Sequence, residues 1–199
     1  MTYDIRLFSQ STHCVSVLQL QSALDDCRFE VLDGDDAVWT QLLVTSLYGD
    51  EICIVERASR RLMSKEIDAL RDDLDECSPR SAALWADAFI ASSRVLYGCR
   101  YLSFGMSHVY AAVPSSVMWA IQSIVDSGII HADGQGFSNE EGYQITWEFS
   151  DRVQGPRQMA VLGDGGRWQP FEMDLGDDQQ RAAFRAGARP AGVELLEFN

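Results

Sequence analysis

The sequence predicts an α+β fold, with antiparallel sheet packed around one long, largely buried central helix. Residues 78–104 carry apolar side chains around most of a helical circumference. Trp85, Phe89, Leu96 and Cys99 fall on one face, and Leu84, Ile90, Val95 and Leu102 cover much of the rest, leaving Arg80, Asp87 and Arg94 as a narrow polar stripe. A helix apolar nearly all round belongs in an interior. Residues 143–149 alternate Tyr143, Ile145, Trp147 and Phe149 with Gln144, Thr146 and Glu148, the pattern of an antiparallel strand with one buried and one wet face. Strands and helices elsewhere group by region, without the βαβ alternation of a parallel sheet. The central helix starts where Ser78 can cap it, with Pro79 at the first helical position, where a missing amide costs nothing.

From the N-terminus, residues 3–9 alternate as a strand, and Val17, Leu20 and Leu24 mark one side of a helix over residues 14–26. Phe29, Val31 and Leu32 lead a second strand into the acidic turn Asp33-Gly34-Asp35-Asp36. Residues 38–47 and 52–57 form a hairpin around Tyr48-Gly49-Asp50-Glu51, and Ile52 to Val55, apolar at successive positions, put its second strand inside the sheet. Ser64 caps a helix whose buried stripe is Ile67, Leu70 and Leu74. Beyond the central helix, Pro114 opens and Gly128 follows a helix over residues 115–126, with Val117, Met118, Ile121, Ile124 and Val125 on its apolar side. Ile129 and Ile130 then enter a loop over residues 131–142. Residues 159–162 and 167–174 continue the later sheet as a hairpin around Gly163-Asp164-Gly165-Gly166, with Pro170 placing its second strand at an edge. Asp177 and Asp178 start a terminal helix over residues 179–186. With no repeat, low-complexity tract or linker, the chain reads as one domain, 1–199, or as two packed halves, 1–112 and 113–199.

At 199 residues and 46% hydrophobic, the chain is long enough for a sizeable core. No segment approaches 18 uncharged apolar residues, and the first residues lack a basic stretch followed by an apolar one, so a cytoplasmic protein without a membrane partner is expected. The five cysteines, Cys14, Cys27, Cys53, Cys77 and Cys99, are scattered, without a CxxC pair or zinc spacing; they read as small buried apolar residues. Thirty acidic against sixteen basic residues give a net charge of −14. That field favours solubility, repels nucleic acid and anionic lipid, and speeds encounter with a basic partner. Glu66, Asp68, Asp72, Asp73, Asp75 and Glu76 concentrate it on the helix after Ser64, against Lys65 and Arg71. Carboxylates at a helix C-terminus oppose its dipole at about 0.3 kcal/mol or more each. Charges placed against local propensity point to a partner.

The common catalytic motifs, GxSxG, HExxH, the phosphate-binding GxxxxGK[ST] loop and a strand-linked GxGxxG, are missing. Gly163-Asp164-Gly165-Gly166 sits between strands, with no helix behind it to hold an anion, and reads as a turn. Of the three histidines, His13, His108 and His131, the last is the best acid–base candidate: His131, Asp133, Glu140 and Glu141 share one Gly-rich loop and have the chemistry of an acid–base or metal site. The same residues suit a solvated loop whose side chains satisfy its own turns. Asp33, Asp35 and Asp36 lack the remaining ligands of a calcium loop and read as a turn. Arg57, Arg60 and Arg61 form a compact basic cluster, suited to a phosphate or to pairing with neighbouring acids. Aromatic and basic residues do not interleave as a nucleic-acid platform requires.

In size, acidity and absence of a catalytic motif over its whole length, the chain resembles bacterial immunity proteins, the cytoplasmic inhibitors that cells keep against their own secreted or contact-delivered toxins, type VI secretion effectors among them. The resemblance implies a protein that is not itself an enzyme, needs no cofactor, and forms a tight one-to-one complex in which carboxylates meet a basic toxin such as a nuclease. Charge places the contact on Asp72, Asp73, Asp75 and Glu76, with Asp33, Asp35 and Asp36 or the loop residues Asn139, Glu140 and Glu141 next. The alternative is a hydrolase or metal-dependent enzyme centred on the 131–142 loop.

Overall fold

Ile5–Ser9 (β1) is the first strand of the chain and a central strand of its main sheet. It is bonded on one side to Val95–Tyr101 (β5) and on the other to Ile129–Ala132 (β6). With Cys27–Gly34 (β2), Trp39–Ser46 (β3), Glu51–Ser59 (β4) and Gly136–Ser138 (β7), the order is β2-β3-β4-β5-β1-β6-β7, antiparallel throughout. Pro156–Leu162 (β8) and Trp168–Asp174 (β9) form a separate two-stranded sheet. The helices are Val17–Ala23 (α1), Ser64–Asp73 (α2) with a 3₁₀ turn at Leu74–Glu76, Arg80–Ser92 (α3), Val113–Val125 (α4) and Asp178–Arg185 (α5). This computed structural model describes residues 3–59, 61, 62, 64–103, 105 and 107–196, without the side chain of Glu66. The fold class is therefore α+β with a large antiparallel sheet.

Local chemistry explains the helix ends. Ser16 and Gln19 cap α1 reciprocally, each side chain accepting from the other's backbone amide. Pro114 lies in the first turn of α4, and Asp126, at φ 51°, turns the chain out of it. Asp177 caps α5, its carboxylate accepting from the amides of Gln179 and Gln180.

Alternation along the central strands divides the core. Ile5, Leu7, Val95, Tyr97 and Ile130 point to the face packed by α1 and α4, while Phe8, Leu96 and Ile129 point to the opposite face, under α2 and α3. Each such side chain fully buried contributes about 1.5–3 kcal/mol. A third cluster, Trp147, Met159, Phe171, Met173 and Phe184 among its members, joins the β8–β9 hairpin to α5.

Two sequence expectations are corrected. Residues 78–104 are not one helix: α3 stops at Ser92, Ser93 is extended, and the chain continues as β5. Val95, Tyr97 and Cys99 are covered by the α4 side and Leu96 by the α3 side, so this strand is apolar at successive positions and matches a buried helix in composition. Ser78 does not cap α3; its carbonyl accepts from Trp147 N at 2.8 Å, and Pro79 is the residue before the helix. Leu84 is 55% exposed, Phe89 and Ile90 are buried, and Trp85 is half-buried. Phe104 lies outside the described residues.

Residues 143–149 are not a regular strand either, and make only isolated bridges, Gln144 to Ser138 and Met159 and Trp147 to Ser78. Gln144 and Thr146 are as buried as Ile145 and Trp147. Their polar groups serve backbone: Gln144 Nε2 donates to the carbonyls of Gln135 and Phe137, and Thr146 Oγ1 accepts from Phe137 N at 2.7 Å. The second hairpin stands apart from the main sheet, with Pro170 on a strand whose ladder partner is β8 and whose other side is bridged among the described residues by Leu195 and Leu196. Among the described residues no helix is long and apolar enough to cross a membrane.

Candidate functional site

Burial of Ile67, Leu70 and Leu74 against the sheet side turns the remaining residues of α2 and its 3₁₀ turn outward, so Asp68, Asp72, Asp73, Asp75 and Glu76 are all exposed. Glu66, grouped with them by sequence, has its side chain outside the described residues. Arg71 reaches from the last turn of α2 to Asp87 of α3. Arg80 comes back from the start of α3 to donate to the carbonyls of Leu74 and Asp75 and, at 2.9 Å, to Asp75 Oδ1. That places a cation where the carbonyl end of a helix is negative. The dipole conflict visible in the sequence is thus partly answered by a residue of the next helix.

Between the two helices lies a cleft of about 360 Å³ lined by Asp68, Asp72, Asp75, Asp87, Arg71 and Arg80, with Leu84 also on its wall. Asp75 and Asp87 are held by the two arginines, whereas Asp68 and Asp72 make no ion pair among the described residues. The hydrogen bond from Arg71 holds the Asp87 carboxyl below the usual aspartate range.

The other acidic groups lie elsewhere. Asp33, Asp35 and Asp36 sit at the β2–β3 turn, on the edge of the main sheet, and are exposed. Asp33 accepts from the Thr40 hydroxyl, and Asp35 Oδ1 accepts from the amides of Ala37 and Val38 at 2.9 and 2.8 Å, so two of the three carboxylates build the turn. Asn139, Glu140 and Glu141 follow β7, at the opposite edge. Asn139 is 1% exposed, out of a partner's reach, and its Oδ1 accepts from the amides of Glu141 and Tyr143. Glu140 and Glu141 are exposed and face Trp119, Gln122 and Asp126 across a cavity of about 290 Å³. Burial, then the nearby Glu141 and Asp126, raise the pKa of Glu140. The three acidic groups do not form one surface.

The quartet His131, Asp133, Glu140 and Glu141 is not assembled. His131, 3% exposed, is gripped on both ring nitrogens: Arg6 Nη1 lies 3.2 Å from Nδ1, and Glu148 Oε1 lies 3.1 Å from Nε2. A guanidinium can only donate and a carboxylate can only accept, so the ring lies between a donor at Nδ1 and an acceptor at Nε2. Arg6 also pairs with Asp133 Oδ1 at 2.6 Å. Cys77 Sγ lies 3.8 Å from Glu148 Oε1, and burial next to that carboxylate raises its pKa to about 11. The thiol lies as a donor toward Glu148 and the Asp73 carbonyl. The network ties β1, β6, the 147–148 segment and the α2–α3 junction together. Arg6 and Glu148 escaped the sequence reading: Arg6 is 125 positions from His131, and Glu148 occupies an outward place in the apparent alternation.

Among the described residues no group of three or more His, Cys, Asp or Glu side chains is placed to hold a metal ion. Arg57 donates, among the described residues, to the Tyr97 hydroxyl and the Thr12 carbonyl and not to an acid; Arg60 lies outside the described residues. The cysteines are all free, with Cys27, Cys53 and Cys99 buried. No protein-family model, curated protein or solved structure matches the chain.

Proposed function

We propose that this protein is a cytoplasmic immunity protein that neutralises a basic bacterial toxin, a nuclease being the best-suited class, by admitting its cationic side chains to the cleft between α2 and α3. The observation that carries the proposal is that Asp68 and Asp72 make no ion pair among the described residues, feeling Arg71 only through space, in a cleft whose other two carboxylates are bonded to arginines. A lysine or arginine 4 Å from such a carboxylate gains about 4 kcal/mol of Coulomb energy at the effective dielectric of a protein surface, before desolvation is subtracted. The exposed Leu84 adds apolar contact beside the charges. Asp33, Asp35, Asp36, Glu140 and Glu141, too far apart to share one contact, contribute through the −14 field, which acts on encounter rate.

The experiment is titration of the purified protein into the toxin encoded by its neighbouring gene, followed by calorimetry, with growth protection measured in parallel. Reversing Asp72, Asp73, Asp75 and Glu76 to lysine should leave the fold intact while slowing association, flattening its salt dependence and, through Asp72 in the cleft, speeding dissociation. A variant that binds and protects like the parent would remove the cleft from the proposal. If no toxin is bound and the purified protein turns over a substrate, the inhibitor reading fails and the enzymatic one replaces it.

A further inference from the structure

Among the described residues, helices cover strands β2, β3 and β4 on one face only, and the Tyr3 ring lies over the other face beside Gly98 and Glu56. The helices packed on them, α1 on β2 and α4 on β4, lie on the same side, and no described helix packs closely over the other. One row of side chains crosses this open face in register: Glu30 stands opposite Leu43, Leu43 opposite Ile54, and Ile54 opposite Arg100 of β5. The row reads acidic, apolar, apolar, basic. Leu43 and Ile54 are only half-buried, and Glu30 is exposed, with no ion pair among the described residues. Arg100 comes no nearer than 4.0 Å to Glu56, whose carboxylate already accepts from the Tyr3 hydroxyl and from Gln41 Nε2.

We propose that this face is where two copies of the chain pack, sheet against sheet, about a two-fold axis parallel to the strands. Such an axis turns the row end for end, setting Glu30 of each copy against Arg100 of the other and Leu43 against Ile54. A two-fold contact must be self-complementary, and a row that is acidic at one end, basic at the other and apolar between has that property. The net charge of −14 makes most of the surface repel its own copy. On this face Arg28 and Arg100 stand against Glu30 and Glu56, with Asp33 beside Gln41 and Glu56 at its rim, and the row itself carries one charge of each sign. At strand spacings of about 4.8 Å and a rise of about 3.3 Å per residue the patch offers roughly 300 Å² of sheet. That is short of the ~800 Å² per partner of a standard stable interface, so the dimer is weak and reversible. None of the α2–α3 carboxylates takes part, and the pairing stands or falls apart from toxin binding.

The test is sedimentation equilibrium of the full chain up to about 1 mM. The parent's mass should rise toward two chains. Glu30→Arg and Arg100→Glu should each abolish the rise when run alone, because each sets like charges face to face. Mixed together, the two variants should dimerise again, since every arginine of one then meets a glutamate of the other; the double variant should also recover. Thermal melting of each variant identifies any that fails to fold, in which case Glu30→Gln and Arg100→Gln replace it and must weaken the dimer. A parent that stays monomeric throughout, a dimer indifferent to the single reversals, or a mixture that does not recover would each overturn the proposal.

Discussion

Arg71 grips Asp87 at two points across α2 and α3, Nε to Oδ1 at 2.5 Å and Nη2 to Oδ2 at 3.2 Å. This pair fastens a helix whose outer surface is otherwise acidic. Because the aspartate pKa is depressed in the fold, the contribution is complete above the ordinary aspartate range and is lost as the pH falls through the folded value. Both side chains are about one-third exposed, at 35% and 36%, which holds the contribution to about 1 kcal/mol or less. Asp87→Asn should therefore lower the melting temperature at neutral pH, and the gap to the parent should close in acid. A gap independent of pH would assign the effect to packing.

Phe89 is 7% exposed on α3, with its ring 5.5 Å from that of Trp85. Truncation to alanine should destabilise the fold by about 3–5 kcal/mol, through lost transfer energy and the cavity left behind. Denaturant titration measures it, and an unchanged midpoint would contradict the burial.

Gln144 ties the β7 strand to the irregular backbone on either side of it. Its Nε2 lies 2.9 Å from Gln135 O, 3.0 Å from Phe137 O and 3.2 Å from Thr146 O, and its Oε1 accepts from the Ser138 hydroxyl. Gln144→Leu keeps the bulk and removes the donors; Phe137 O and Gln135 O still accept from the amides of Ile145 and Glu148, so the loss of about 1–3 kcal/mol falls on the Thr146 carbonyl. A neutral result would show that water takes over those bonds.

The carboxylates of the proposed contact should divide by position. Asp73 and Glu76 do not line the cleft, whereas Asp68 and Asp72 do. Reversing the outer pair should slow association and reduce its salt dependence, while truncating the inner pair should speed dissociation and weaken binding by about 2–5 kcal/mol. Stopped-flow mixing with the toxin separates the two. Equal kinetic effects from both pairs would argue for a diffuse field without a cleft contact.

Elements with one wet face were legible in the sequence. The hairpin of β3 and β4, the stripe Ile67, Leu70 and Leu74, and α4 with Pro114 in its first turn all stand where their periodicity places them. The failures occur where burial is two-sided. Val95 to Cys99 lie between helices above and below, so no polar position reveals a period of two. Gly98, where an added Cβ would come 2.5 Å from the Tyr3 ring, was the local sign of a strand pressed by another side chain. Gln144 and Thr146 are buried because they bond backbone, which polarity alone reads as exposure. The cleft acids were legible as a cluster. Their arginine partners were not, since Arg80 and Asp87 belong to the next helix and the pairing depends on how the two helices lie together.

The place of Ile5–Ser9 in the middle of the main sheet has a consequence for synthesis. Among the strands of this sheet it is made before any other, yet its neighbours on either side are Val95–Tyr101 and Ile129–Ala132. At 5–20 residues per second the wait for the nearer neighbour lasts roughly 5–20 seconds. The strands from β2 to β5 can zip in the order they are made, while Ile5, Leu7 and Phe8 remain an orphaned apolar ribbon. A nascent chain stalled before Val95 would display that ribbon to any exposed sheet edge nearby. A rearranged gene that places the codons for Ile5–Ser9 after those for Ile129–Ala132 would make the ribbon when both of its neighbours are already waiting.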